Sequence, residues 1–318
     1  MRRLAAEIRR PVSFALNQNN ADPDQWRKLL DLAAQAVAAG VPVRPQVTAR
    51  TVSSLLGFQT FHPFSFSPAW SEAALGLMPW TEQVARIGAE PGLRERLVDG
   101  ARAMENEPFQ GFMAPDRTYV LGDPPNYEPS PSDSVGAIAA ARGAEAWDTF
   151  LDLLLEDGGR QLLNAPVLNY SNGDLEATRT MLTHPATVFG LGDGGAHAGQ
   201  TCDASTTTFM LSHWARDRSR GRIPVEEAGR LITSSTADLY GLSDRGRLLP
   251  AFVGDLNVIA ADRVGLHRPE VVHDLPGGAR RLIQRATGYL YTVKSGQITF
   301  DHGESTGARP GVLLRGAR

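Results

Sequence analysis

The sequence predicts an α/β fold of the (β/α)₈ barrel type, carried by too few strands to close, with a short β segment after it. Three observations lead there. A strand, a helix and a second strand follow one another before residue 50, a βαβ unit that implies a parallel sheet. Both strands alternate apolar with small or polar residues, whereas strands covered by helices on both faces are apolar throughout. After Gly246 the texture changes to short strands and tight turns.

The first strand is Pro11 to Asn17, with Val12, Phe14 and Leu16 on one parity and Ser13, Ala15 and Asn17 on the other. Asp22-Pro23-Asp24 starts a helix, Trp26, Leu29, Leu30, Ala33, Ala36 and Val37 follow at helical spacing, and Gly40 ends it. The second strand, Val41 to Thr48, sets Val41, Val43 and Val47 against Arg44, Gln46, Thr48 and Arg50. A persistent polar parity is what a barrel lumen lined by functional side chains requires. From Glu72 to Ala103 short helices break at Pro79 and Pro91, and Glu105 to Pro131 reads as a long loop with one strand-like piece, Arg117 to Leu121. Helices return from Ser132 to Glu156 and from Asp174 to Leu182. A third strand spans Ala186 to Leu191, and further helices follow near 206–216, 225–234 and 236–241. The tail holds a strand at Asp255 to Ala260 and a hairpin, Tyr289 to Lys294 with Gln297 to Phe300, turning at Ser295-Gly296. That divides the chain into a partial barrel, 1–245, and a β segment, 246–318. Three clear parallel strands, or four to five with Tyr119 and Val167 counted, fall short of eight, and a full barrel takes about 250 residues.

Composition excludes several classes. The chain has 318 residues, 42% hydrophobic, and a formal charge of −3, with no run of five like charges, so neither a nucleic acid nor a membrane is an expected partner. Cys202 is the single cysteine, which forbids an internal disulfide and favours the cytoplasm. No apolar stretch approaches the roughly 20 residues of a membrane helix. Met1 to Arg10 is charged throughout, without a signal-peptide core, and reads as the inside of a helix.

Thr183-His184-Pro185, Thr187-Val188-Phe189-Gly190 and Leu191-Gly192-Asp193-Gly194-Gly195-Ala196-His197 together resemble the last barrel strand of N-acyl-D-amino-acid deacylases, a branch of the amidohydrolase superfamily. Cys202-Asp203-Ala204-Ser205, His213 to Arg218 and Phe61-His62-Pro63-Phe64 are similar to one branch of that family. The stretches Thr236 to Leu242, Arg245 to Leu248, Gly254 to Val258 and Thr306 to Gly311 resemble its ending, where the chain leaves the barrel for a small β-sandwich. The resemblance implies an amidohydrolase-type (β/α)₈ barrel, present in its later strands only, plus the C-terminal part of the sandwich. It also implies zinc, one or two ions, and hydrolysis of N-acyl-D-amino acids to a carboxylate and a D-amino acid. The superfamily's His-x-His pair is missing, for no two of the seven histidines stand two apart. The chain is therefore expected to be a half, truncated or completed by a second chain, and weak in metal binding by itself. The rival readings are another amidohydrolase reaction, such as the opening of a hydantoin or other cyclic amide, and a non-catalytic fragment or subunit of a split enzyme.

The resemblance makes Asp193 a metal ligand and proton-transfer group. A strand-end carboxylate can indeed take a proton from metal-bound water and return it to a leaving amine, although a Gly-Asp-Gly turn also uses Asp merely to satisfy backbone amides. His197, four residues on, is a candidate substrate contact or an ordinary loop histidine. Arg50 stands just past the second strand on its polar parity, where a guanidinium could grip the carboxylate of an acyl-amino acid through paired hydrogen bonds. The alternative for Arg50 is pairing with a local acid. His62 follows the same rim and is either a substrate contact or part of a packed aromatic loop.

Overall fold

The computed structural model describes residues 1–104, 111–190, 192 and 197–315. Among the described residues, six strands lie before position 190: β1 (Val12–Ala15), β2 (Val43–Val47), β3 (Val52–Leu56), β4 (Tyr119–Val120), β5 (Leu163–Leu168) and β6 (Val188–Phe189). β1, β2 and β6 form a parallel sheet in the order β1-β2-β6, with Ser13 beside Arg44 and Val47 beside Phe189. The helix Gln25–Ala38 crosses from β1 to β2 and buries Trp26, Leu30, Ala33 and Ala36 on one side. It ends where Gly40 adopts φ +75°, a left-handed conformation that costs glycine nothing. The expected βαβ unit is present.

The parity of these strands is realised as well. Val43, Pro45 and Val47 are buried while Arg44 and Gln46 are partly open, and Ser13 and Ala15 of β1 are exposed. Val47, Leu16, Trp26 and Leu30 join Phe189, Met210 and Trp214 in the first hydrophobic core. At the end of β6 the chain passes so close to β2 that a side chain on Gly190 would meet Gln46 Oε1 at 2.8 Å.

The strands expected near Tyr119 and Val167 exist, but they do not extend the parallel sheet. β3 and β4 each pair antiparallel with the central β5 in a second sheet, β3-β5-β4, with Leu56 opposite Leu163. Side-chain alternation carries no information on strand direction, and among the described residues the parallel sheet keeps three strands rather than four or five. β3 has no counterpart among the strands that the sequence predicts. The short helices Pro68–Glu72, Trp80–Ala89 and Leu93–Ala103, broken at the expected prolines, pack with Ala146–Gly159 on this sheet. They share a second core that includes Leu56, Phe64, Leu97, Trp147, Phe150 and Leu154.

The tail contains β7 (Leu256–Ile259), β8 (Gly265–Leu266), β9 (Glu270–Leu275), β10 (Ala279–Ile283), β11 (Ala286–Thr287), β12 (Tyr289–Lys294), β13 (Gln297–Asp301) and β14 (Glu304–Ser305). A four-stranded sheet runs β14-β13-β12-β7, and its β12–β13 hairpin turns at Ser295 and Gly296, both at positive φ, as the sequence predicts. None of its strand residues is fully buried. The β9–β10 hairpin, in contrast, sends Leu282 into the first core, and the Leu282 amide donates to the carbonyl of Ala198 at 2.7 Å. Among the described residues no helix is long and apolar enough to cross a membrane.

Candidate functional site

The C-terminal ends of the three parallel strands converge, and the segments leaving them are cross-linked by polar side chains. Gly190 leaves β6 with its amide on the carbonyl of Val47, at 3.0 Å. Asp193, three residues on in the sequence, lies outside the described residues. At the end of β1, Gln18 and Asn169 exchange bonds: the Gln18 amide donates to Asn169 Oδ1 at 2.8 Å, and the Asn169 amide to the Gln18 carbonyl at 2.9 Å. Asn169 Nδ2 also donates to Asn17 Oδ1. Asn169 can hold its φ of +66° because a short amide tolerates that region.

Past β2 stands Arg50, only 2% exposed. Its Nη2 donates to the carbonyl of Cys202 and to Asp203 Oδ1 at 2.9 Å, and its Nη1 to Ser205 Oγ at 3.3 Å. The guanidinium lies 3.9 Å from the centre of the Tyr127 ring. Burial works against its charge, but Tyr127 and Asp203 outweigh it and hold the pKa above the ordinary arginine value. Burial pushes the neighbouring Cys202 thiol up to about 11, so it is protonated packing rather than a nucleophile. Arg50 is thus engaged by the chain's own loop, and a ligand carboxylate would have to displace Asp203 to reach it.

His62, expected on the same rim, is also 2% exposed. Phe58 and Trp70 face its ring edge-on at 4.7 and 4.8 Å, and Phe64 lies at 5.9 Å. Desolvation in this cage drops its pKa to about 3, so the ring is neutral and has no face open to a ligand. His197 is the reverse case. Its side chain is exposed, its φ is +48°, and its carbonyl accepts from the amides of Gln200 and Thr201 at 2.7 and 2.9 Å, which makes it the corner of a tight turn.

From that corner the loop 197–205 is pinned on three sides. Leu55 of β3 donates its amide to the Gln200 carbonyl at 2.9 Å, and Gln200 Nε2 donates to Ser54 Oγ. Arg50 holds residues 202–205, and β10 holds Ala198. A cleft of about 540 Å³ separates the loop from the tail, lined by Thr201, Asp203, Ser205, Arg281, Leu282 and Gln284 among others. A second polar cluster braces the outer side. Arg218 reaches Glu128 with Nε and Nη2 at 2.9 and 2.7 Å and Glu176 at 2.8 Å, while His213 Nε2 meets Glu128 at 2.7 Å. Burial alone would raise the Glu128 carboxyl, but Arg218, His213 and the Leu175 amide hold it down at about 2. Trp214 Nε1 donates to the carbonyl of Ala49, tying this cluster to the residue before Arg50.

Sequence reasoning singled out none of Asp203, Tyr127, Gln284, Glu128 and Arg218 as functional. The one available signal was that Asp203 and Arg218 sit inside motifs shared with a family. Among the described residues no three His, Cys, Asp or Glu side chains come together to hold a metal ion.

The profile of the amidohydrolase family matches residues 1–300. An uncharacterized protein of Mycobacterium tuberculosis is 28% identical over 200 residues, which is 57% of this chain and 32% of that protein, and one of Mycobacterium bovis gives the same figures. A D-aminoacylase variant solved with copper chloride superposes with a TM-score of 0.52 at 19% identity, covering 99% of this chain and 52% of that one. A D-aminoacylase described for its binuclear metal center gives 0.50 and 19%, covering 96% and 50%. At such identity the likeness concerns the fold. The chain spans about half the length of these solved structures, and its match spans about a third of the mycobacterial proteins.

Proposed function

Since the chain belongs to the amidohydrolase family, we propose that it supplies the later strands of a metal-dependent hydrolase that cleaves N-acyl-D-amino acids into a carboxylate and a D-amino acid. The observation that carries this is the convergence of β1, β2 and β6 at one end of a parallel sheet, where barrel enzymes place their chemistry. The Gly190 amide is bonded there, three residues ahead of Asp193 in the sequence. Residues 1–245 are the partial barrel in this reading and 246–318 the partial sandwich. The uncovered four-stranded sheet and the exposed polar parity of β1 suit a chain meant to be completed.

The D-aminoacylase with a binuclear metal center supports extending metal use, as one or two zinc ions, to this protein. The described residues do not fit such a centre by themselves. In the proposal Asp193 is one ligand, and the remaining ligands, a His-x-His pair among them, come from outside these 318 residues, whether from further chain or from a second subunit. A bound zinc would supply Lewis acidity and a more acidic water. Asp193 is the proton carrier between the attacking water and the departing amine. His197, four residues on in the sequence, is exposed and could meet the substrate. Arg50 and His62 serve the substrate by holding the mouth in shape.

The test is to join or mix the chain with a His-x-His barrel half, load it with zinc and offer N-acetyl-D-amino acids beside cyclic amides of the hydantoin type. Release of free D-amino acid with the cyclic amides untouched is expected. Turnover of the cyclic amides alone, or of neither by the zinc-loaded protein, overturns the proposal.

A further inference from the structure

Gln284 follows β10 in the C-terminal segment, and its amide is bonded at both ends. Its Oε1 accepts from Ser205 Oγ, and its Nε2 donates to the Tyr127 hydroxyl oxygen at 3.0 Å and to the His267 carbonyl at 2.8 Å. Ser205 and Tyr127 are two of the groups against which Arg50 is packed, one accepting from its Nη1 and the other beneath its face. Two residues before Gln284, the Leu282 amide holds the carbonyl of Ala198. The tail therefore grips both ends of the loop 197–205, and Gln284 touches both the loop and the Tyr127 ring under Arg50.

We propose that Gln284 is a positioning residue: through Ser205 it fixes the loop 197–205, which follows Asp193 in the sequence, so the C-terminal β segment sets the geometry at the strand ends. The consequence for catalysis rests on reading those strand ends as the active site; the consequence for the loop does not. A side-chain amide suits the task because it accepts from a hydroxyl and donates to a carbonyl at once. Cutting it loose removes one of the ties on the 205 end of the loop, where Arg50 still holds Cys202 and Asp203, which is a local loosening and leaves the parallel sheet intact.

Amide hydrogen exchange on the chain reads this directly. In Gln284→Met, which keeps length and volume but neither bond, the amides of Gln200 and Thr201 should exchange about tenfold faster, the scale of one or two lost hydrogen bonds. The amides of Leu16 and Gly190, bonded within the parallel sheet, should be unchanged. Ser205→Ala cuts the same link from the other side, together with the Arg50 Nη1 bond, and serves if the methionine variant folds poorly; the double variant should fall short of the sum of the two single effects. Unchanged exchange at Gln200 and Thr201, uniform acceleration that includes Leu16 and Gly190, or additive effects in the double variant would overturn the proposal. In the completed, zinc-loaded protein Gln284→Met should lower kcat about tenfold with KM within about twofold. Faster loop exchange with normal kcat removes the catalytic part of the claim. Absence of any deacylase turnover in the parent counts against the proposed function and leaves the exchange result to decide the loop.

Discussion

Arg50 and Asp203 stand 153 residues apart in the sequence, and their side chains meet at 2.9 Å inside the protein. The pair closes the polypeptide that leaves β2 onto the loop that follows β6, so two of the three parallel strand ends are fastened by one buried contact. A buried pair of this kind contributes little over an apolar filling of the same shape, but losing one partner strands the other in a dry site.

Arg50→Ala is accordingly expected to lower the free energy of unfolding by about 3–5 kcal/mol, the usual cost of orphaning a buried charge. Arg50→Lys keeps the charge without the fork that reaches Cys202, Asp203 and Ser205 together, and should recover only part of the loss. Asp203→Asn should cost less than Arg50→Ala, because Arg50 keeps its carbonyl, hydroxyl and ring partners. Urea titrations of the single and double variants give the coupling directly; additive effects would show that the pair is incidental.

Glu128 should govern the acid limb of stability. Its carboxyl is held at about 2 in the folded protein against roughly 4.3 unfolded. A depressed carboxyl stabilises the fold above its unfolded value, and that contribution drains away as the pH falls through the range between the two. The drop is about 3 kcal/mol from pH 5 to pH 2. Glu128→Gln should start less stable at pH 7 and show a visibly shallower decline below pH 5. Parallel curves for parent and variant would place the acid lability elsewhere.

His62 acts at a higher pH and through burial alone. The unfolded ring binds a proton below about 6.5, whereas the folded ring resists until about 3. Between those values the unfolded chain holds the extra proton, so stability is lost as the pH falls. Phenylalanine fits the same ring of Phe58, Phe64 and Trp70 and has nothing to titrate. His62→Phe should therefore gain on the parent by roughly 3 kcal/mol between pH 8 and pH 4. Melting curves at the two pH values decide it, and an equal gap at both would mean that His62 is already solvated.

Much of the frame was legible in the sequence because it rests on periodicity. Val43 and Val47 against Arg44 and Gln46 reported a strand with two unlike faces, and Gly40, Pro79 and Pro91 marked helix ends for steric reasons. β3 was missed because Val52-Ser53-Ser54-Leu55-Leu56 has no alternation: it packs on both sides, with its serines buried. Arg50 was placed at the right end of the right strand, yet its partner could not be read, since a guanidinium suits a substrate carboxylate and an internal aspartate equally well. Gln284 had no signal at all. One amide in a β-rich tail becomes informative only when the fold sets it between Ser205 and Tyr127.

Asp193 carries the last prediction, which joins metal to chemistry. Zinc prefers four ligands, no two histidines of this chain stand two apart, and no three candidate side chains meet among the described residues. The chain by itself should lose zinc on dialysis and hydrolyse acyl-D-amino acids negligibly. In the completed protein Asp193→Asn retains an oxygen that can face a metal and removes the base. A positioned proton carrier contributes about 10²–10⁴-fold, so kcat should fall by that order. KM should change little, because the carboxylate handles a proton and not the body of the substrate. Zinc content must be measured beside the rates, since a lost ion imitates a lost base. Retained zinc with near-normal kcat would reduce Asp193 to a turn residue that caps backbone amides, and the proposed hydrolysis would lose the proton carrier this chain contributes to it.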